Sequence, residues 1–413
     1  MRRNSVQTSD IETNILKSVR EANGISRVQV ARVLGLAPST TGVYVERLLA
    51  AGFLLETESL VQVTGRPPRL LKMNPDGGEF IGVDFEARNI LAVAVDFSDR
   101  PLRNAHKLIE EGDTVPQIIA KIEAVISELL QPGHGRLLAI GVGVPGVVDS
   151  SRGVAVQYKY IANWQNVPLG ARLTKRFGVP VFLENNVRSM ALAELWFGQG
   201  KGMRDFICVG IRSGIGVGIV LNGQIYRGAS FGAGELGRWR MAQNAEGDVV
   251  WAGSTGDKLG DGVELQDIAS ARAILNSIRG AIQQRGRTVL KDDAKKLTLQ
   301  DIGLAAQQRD GLTLRILTQA AKALGSAIGH LILILNPSRV MLAGPLTLLG
   351  ATFLDPLKAE VHRRLELSGI KEPTIVNSDM GEFSGALGAA ALALHEWKPQ
   401  SGPVSKHMRT KSK

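Results

Sequence analysis

A single cysteine, Cys208, stands in 413 residues. It excludes an intramolecular disulfide, and its place in the apolar run Phe206-Ile207-Cys208-Val209 fits a buried thiol in a reducing cytoplasm. Nowhere do apolar residues run on for the roughly eighteen positions that a membrane span needs. The first ten residues, Met-Arg-Arg-Asn-Ser-Val-Gln-Thr-Ser-Asp, also lack the apolar stretch of a signal peptide. The expectation is a cytoplasmic chain with no membrane partner. Acids are in short supply, 39 against 49 Lys and Arg, for a formal net charge of +10. That excess suits nucleic acid, an acidic surface or plain solubility, and charge alone does not choose among them. Part of it lies in residues 397–413, which hold no acid and two prolines and read as a disordered basic tail. With 44% hydrophobic residues there is material for two or three domains with sizeable cores.

The first domain is expected over 9–75. Ser9-Asp10-Ile11-Glu12 has the spacing of a capping box, and Ile11, Ile15, Leu16 and Val19 share one helical face, so a helix should run from Ser9 to just before Gly24. Ser26-Arg27-Val28-Gln29 repeats the box, and its short helix carries Val30, Ala31, Val33 and Leu34 to a stop at Gly35. Pro38 opens a third helix that Gly52 ends. Three short helices with a glycine turn before the last spell helix-turn-helix.

Within the third helix, Thr41, Val45, Leu48 and Leu49 fall at spacings that bury them. Ser39, Thr40, Val43 and Arg47 are left facing outward, where such a helix meets base edges in the major groove. Two strand-like runs, Phe53–Thr57 and Arg69–Met73, flank a stiff basic tip that holds Arg66. This reads as a wing that lays Arg66 beside a phosphate or into a minor groove, and Arg27 and Arg69 complete the expected DNA-facing set. Three-helix units also serve as protein-interaction modules, but the order of caps, turn, helix and basic wing favours DNA.

These residues carry a family resemblance. The segment SRVQVARVLGLAPSTTGVYVERLLAAGFL (26–54), followed by TGRPPRLLKMNP (64–75), resembles the winged head of the ROK (repressor, ORF, kinase) family, in its NagC/XylR type of regulator. Two departures fall in the recognition helix: Ala37 replaces the usual capping Ser, at a cost of about 1 kcal/mol, and Gly42 replaces a Ser, at a similar cost of about 1 kcal/mol.

From Phe80 onward strands and helices alternate, with a helix over 115–130, a strand from Leu137, an Asn222-Gly223 hairpin, and helices over 313–335 and 381–396. The body, 79–396, resembles the two-lobed actin-like, RNase H-like fold of ROK sugar kinases. Its marks are GVPG at 143–146, NWQNVPL at 163–169, LENN at 183–186, GAGELG at 232–237 and SGALGAA at 384–390. The fold class is therefore α/β, a winged helix-turn-helix followed by a two-lobed kinase-like body.

The resemblance also shows which chemistry is missing. Kinases of the family carry a general-base Asp at the position of Asn186, and an amide cannot take that proton. The turn after the first strand, rich in small residues where it holds phosphate, is filled here by Phe85, Glu86 and Arg88, and the second phosphate loop reads GIRSGIG with Arg212 for Gly. No His follows GELG and no Cys or His occurs in the stretch after it, so no zinc site is expected, and Trp239, Met241 and Trp251 should pack that loop instead. No cofactor and no catalytic residue are expected.

Asn163, Asn185, Asn186 and Glu235 match family sugar contacts, Arg238 replaces the His, and Gln266 stands near a sugar-binding Glu. Arg238 should pair internally with Glu235 or a nearby acid, the alternative being an anionic ligand. The expected partners are a pseudo-palindromic operator, a small sugar effector and a second copy of the chain, as a homodimer or dimer of dimers. The rival readings are a sugar kinase with an added regulatory head, and a protein-interaction scaffold.

Overall fold

The computed structural model describes residues 8–58, 69–86, 88–130, 135–243, 249–250, 262–284, 286–290 and 296–399. The head consists of α1 (Thr8–Ala22), α2 (Arg27–Leu34) and α3 (Pro38–Ala50), followed by the antiparallel pair β1 (Leu54–Glu58) and β2 (Arg69–Met73). At α2 the sequence signals act as read: Ser26 and Gln29 close a capping box, and Gly35 takes the left-handed conformation that ends the helix. Helix α1 begins at Thr8, one residue before the expected start, and Glu12 is buried and faces the Arg47 guanidinium at 4.0 Å.

The recognition helix α3 has Pro38 in its first turn and no side-chain cap from Ala37, and it buries Thr41, Val45 and Leu48. A Cβ on Gly42 would meet open space. Gly42→Ala should therefore stabilise the head by about 0.5–1 kcal/mol through backbone entropy alone, read as a higher midpoint of urea unfolding.

A one-turn helix, Pro75–Gly77, leads into lobe I. Its strands are β3 (Glu79–Phe85), β4 (Asn89–Asp96), β5 (Pro101–Leu108) and β6 (Leu137–Val144), then a small side sheet of β7 (Val147–Asp149), β8 (Val154–Gln157) and β9 (Gln165–Val167), and finally β10 (Val181–Asn185). The main sheet has the order β10-β6-β3-β4-β5, an antiparallel meander extended by two parallel strands. Helices α4 (Val115–Leu129) and α5 (Leu169–Phe177) lie on its outer side, where Ile118, Ile122, Val125 and Leu173 enter a core with Ile81, Val83 and Ile140.

Helix α6 (Asn186–Trp196) leads to lobe II. That lobe holds β11 (Phe206–Ile211), β12 (Ile215–Leu221), β13 (Gln224–Ile225) and the short strands β14 (Arg240–Gln243), β15 (Val249–Val250) and β16 (Val263–Glu264). Helices α7 (Gln266–Ala269), α8 (Ala271–Gln283), α9 (Leu299–Gln307), α10 (Gly311–Leu335) and α11 (Ala351–Leu365) follow, with β17 (Arg339–Ala343) before α11 and β18 (Thr374–Asn377) after it. The main sheet runs β18-β17-β11-β12-β13, again two parallel strands beside a meander, so the second lobe repeats the topology of the first. Asn222 and Gly223 both take positive φ at the β12–β13 turn, as a two-residue hairpin requires. Helix α10 is apolar and long enough to cross a membrane, yet it packs on α11 and carries Leu317, Leu324 and Ile328 into the lobe II core.

The chain then returns to lobe I with α12 (Ser384–Glu396). Gly82 and Gly141, paired in register on β3 and β6, lay a strip of bare backbone under α12, and a Cβ on either would overlap helix backbone at Ala386 or Ala389. On its other side α12 meets α6, where Gly388 lies against the Ser189 carbonyl. The α6–α12 pair is therefore the layer between the two sheets.

Trp397, expected in a disordered tail, is instead buried. It packs edge-on to Phe53 of the head and to Phe80 and Phe97 of lobe I, because that aromatic surface is worth more covered than solvated.

Candidate ligand cleft and nucleic-acid interface

The cleft opens between the lobes as a narrow space of about 80 Å³. Lobe I contributes Glu86, Gly146 and the Tyr158–Tyr160 turn, lobe II contributes Arg212–Gly216, Glu235, Arg238 and Gln266, and the start of α6 forms the floor.

Of the residues expected in the first phosphate turn, Phe85 is in fact the buried last residue of β3, edge-on to Trp164 with ring centroids 5.1 Å apart. Glu86 does enter the cleft. Arg212 crosses from lobe II to place Nη1 2.8 Å from the fully buried Asp84 and Nε 2.6 Å from Glu86, whose other oxygen accepts from the Ser213 amide at 2.7 Å. Burial pushes the Asp84 carboxyl up to about 6, against the opposing pull of Arg212. The guanidinium itself is held above its ordinary value by Asp84 and Glu86, which outweigh the effect of its burial. A cation thus joins the two loops, one from each lobe, that the family resemblance marked as phosphate loops, and Glu86, isolated in sequence from Arg212, is its counter-ion. Local patterns could not have signalled this pairing, because 128 residues separate Asp84 from Arg212.

The other charges are paired as well. Lys159 Nζ lies 2.8 Å from Glu264, which Gln266 also contacts, and Arg238 Nε lies 3.0 Å from Glu235, the internal pairing expected for it. Tyr158 Oη and Ser213 Oγ approach at 3.3 Å across the lobes, with burial, then Glu86, holding the phenol strongly protonated. Tyr158, Lys159 and Tyr160 went unnoticed in the sequence, since a turn of this kind has no periodicity to betray it.

The predicted amides separate into three kinds. Asn186 is 6% exposed and lines the cleft, and among the described residues its side-chain amide has no hydrogen-bond partner. Asn185 is fully engaged: its oxygen caps α6 at the Val187 and Arg188 amides and its nitrogen donates to the Gly146 carbonyl, so it positions the floor. Asn163 is not brought to the cleft. It sits exposed, with positive φ, in a separate hollow beside Arg88 and Arg272.

The loop after GELG departs from expectation in part. Met241 is buried, but Trp239 is 38% exposed and meets His330 edge-on at 5.8 Å, and Trp251 lies outside the described residues. Among the described residues no group of three His, Cys, Asp or Glu is placed to hold a metal.

On the head, Ser39, Val43 and Arg47 are exposed and Thr40 partly so, on one side of α3. Arg47 lies over the Tyr44 ring at 5.3 Å. Arg27 is engaged within the head, 2.8 Å from Glu56 and 2.6 Å from Glu46, and Arg69 approaches Glu56 at 3.6 Å. Arg27 braces β1 against α2 and α3, Arg69 pairs across the two wing strands, and Glu56 holds the Arg27 guanidinium above its usual value. Arg66, at the expected tip, lies outside the described residues.

Residues 80–396 match the ROK family model. The chain belongs to the ROK family. Residues 8–54 match a winged helix-turn-helix DNA-binding model, so this ROK protein joins a DNA-binding head to a kinase-like body. It is 26% identical over 383 residues to the xylose repressor of Bacillus subtilis (strain 168), covering 92% of this chain and 94% of that one. The glucokinase of Thermotoga maritima is 28% identical over 319 residues, 76% of this chain and 96% of the kinase. The kinase is matched over little more than the length of the ROK body, whereas the repressor is matched nearly end to end. Among solved structures, a ROK family transcriptional regulator homologous to the Escherichia coli Mlc protein superposes with a TM-score of 0.76 at 24% identity, over 94% of this chain and 96% of that one.

Proposed function

We propose that the chain is a cytoplasmic, DNA-binding repressor of sugar uptake or catabolism genes, controlled by an uncharged sugar in a cleft that performs no phosphoryl transfer. The observation that carries this reading is Asn186, an amide on a nearly buried floor with no hydrogen-bond partner among the described residues, which offers a hydroxyl both a donor and an acceptor but cannot act as a base. Arg212 fills the space between the loops where a nucleotide's phosphates would need backbone amides, and Glu86 repels them. Since the Arg212, Lys159 and Arg238 cations all have carboxylate partners, no spare cation among the described residues of the cleft is left to recognise a uronate or a sugar phosphate.

Calorimetry with D-xylose, D-glucose and N-acetylglucosamine, each beside an acidic counterpart, tests the cleft. A neutral sugar should bind, and Asn186→Leu should weaken it at least about fivefold, because a buried hydroxyl left unpaired costs about 1–3 kcal/mol. Sugar-dependent ADP release from ATP, or preference for the acidic partner, would reject the reading.

The head is tested by salt-titrated gel shifts on DNA upstream of the chain's own gene. Arg66→Ala should weaken binding to all sequences and flatten the salt slope by about one, whereas Ser39→Ala should change sequence preference. A pseudo-palindromic site and a homodimer are expected, since one head covers only a half-site. A chain indifferent to DNA at low salt would favour the scaffold instead.

A further inference from the structure

The α6–α12 pair touches the cleft at one end and the head at the other. At the cleft end, the Asn186 floor begins α6, and Gly385 at the start of α12 abuts the buried carboxylate of Asp84. The two helices then run side by side in the same direction, Gly388 against Ser189, to a second junction where the His395 ring stacks on Trp196. Here α12 delivers Trp397 to Phe53 of the head, 5.2 Å between ring centroids, and Phe53 also stacks on Phe97 at 5.1 Å. Arg20 of α1 reaches from the head to Asp99 of lobe I at 3.1 Å and lies over the Phe97 ring. The head is thus fastened to lobe I. Toward lobe II it faces a cavity of about 890 Å³, walled by Arg20 and Lys72 on the head side and by Trp196, Phe197 and Lys201 on the other.

We propose that the α6–α12 pair is the transmission element of this regulator, carrying the state of the Asp84–Glu86–Arg212 latch to the DNA-binding head through the Trp397–Phe53 contact. The latch fixes how the lobes meet, and the helix pair is the layer along which the lobes must shear when that changes. Closely packed helices with bare-backbone contacts slide as units and do not deform locally. About 20 Å of α12, 13 residues, therefore moves Trp397 when its first turn moves. The open cavity leaves the head room to follow. The proposal deepens the reading of the chain as a sugar-controlled repressor and rests on it.

Hydrogen exchange on the full chain, with neither DNA nor sugar present, tests the transmission separately from that reading. Asp84→Asn breaks the latch while keeping volume. It should speed exchange in residues 53–57 and 69–73 of the head by at least about fivefold, the lower end of ordinary coupling between sites. In a Trp397→Leu background the same latch change should leave the head's exchange within twofold of that background. Glu86→Gln repeats the measurement from the solvent side of the latch should Asp84→Asn fail to fold. Head exchange that ignores the latch variants while β3 and residues 213–216 respond, or an equal acceleration with and without Trp397, would overturn the proposal. Failure of the sugar or operator assays would leave this result unaffected.

Discussion

Arg212→Met should cost the protein about 3–5 kcal/mol at neutral pH, because it strips the only cation among the described residues from two carboxylates that the fold keeps together. Asp84 is fully buried and Glu86 nearly so, and no other Lys or Arg among the described residues pairs with either. With the guanidinium gone, Asp84 faces both desolvation and the charge of Glu86, so its folded-state pKa rises further above its unfolded value. A raised carboxyl pKa contributes stability that is present below the unfolded value, near 4, and is lost as pH climbs through the folded one. Asp84 is already at about 6 with Arg212 in place, so the variant's deficit should be largest at pH 7 and above and should narrow toward pH 4. Urea unfolding of both chains at pH 5 and pH 7.5 would show it. A deficit that grew on acidification would mean that Arg212 is not the counter-ion of this pair.

Gly141→Ala should be nearly as damaging, by about 1–3 kcal/mol or more. The added methyl points at the Ala389 carbonyl of α12, a backbone group that cannot turn aside as a side chain would, so the whole helix has to lift off β3 and β6. Gly280→Ala, on the open face of α8 with nothing within 4 Å, is the matched control and should be neutral or mildly stabilising. Comparing thermal midpoints of the two variants separates crowding from the general effect of replacing glycine. Equal midpoints would contradict the close α12 packing on which the interlobe layer depends.

Much of the head was legible because its signals are local. Ser26, Gln29, Gly35 and Pro38 act through groups a few residues away, and the outward set Ser39, Val43 and Arg47 follows from helical period alone. What local spacing did not show in the head is its longer-range ion pairing: Glu12 faces Arg47, and Arg27 is paired with Glu46 and Glu56. In the body, alternating strands and helices announced two α/β lobes, and the motif positions carried the family.

The sequence by itself determined the helices and strands, the helix-turn-helix order, the amide in place of an ionisable group at Asn186 and the absence of Cys and His after GELG. Each is a matter of residue type or short spacing. Only the tertiary structure decided that Phe85 leaves the loop for the core, that Asn185 is consumed by capping, that Asn163 stands apart from the cleft, and that Trp397 joins the head instead of a tail. It also decided the Asp84–Glu86–Arg212 latch, whose acids and base lie more than a hundred residues apart. Buried charges select partners by where the fold leaves them unsolvated, and that location emerges only after both lobes have been assembled.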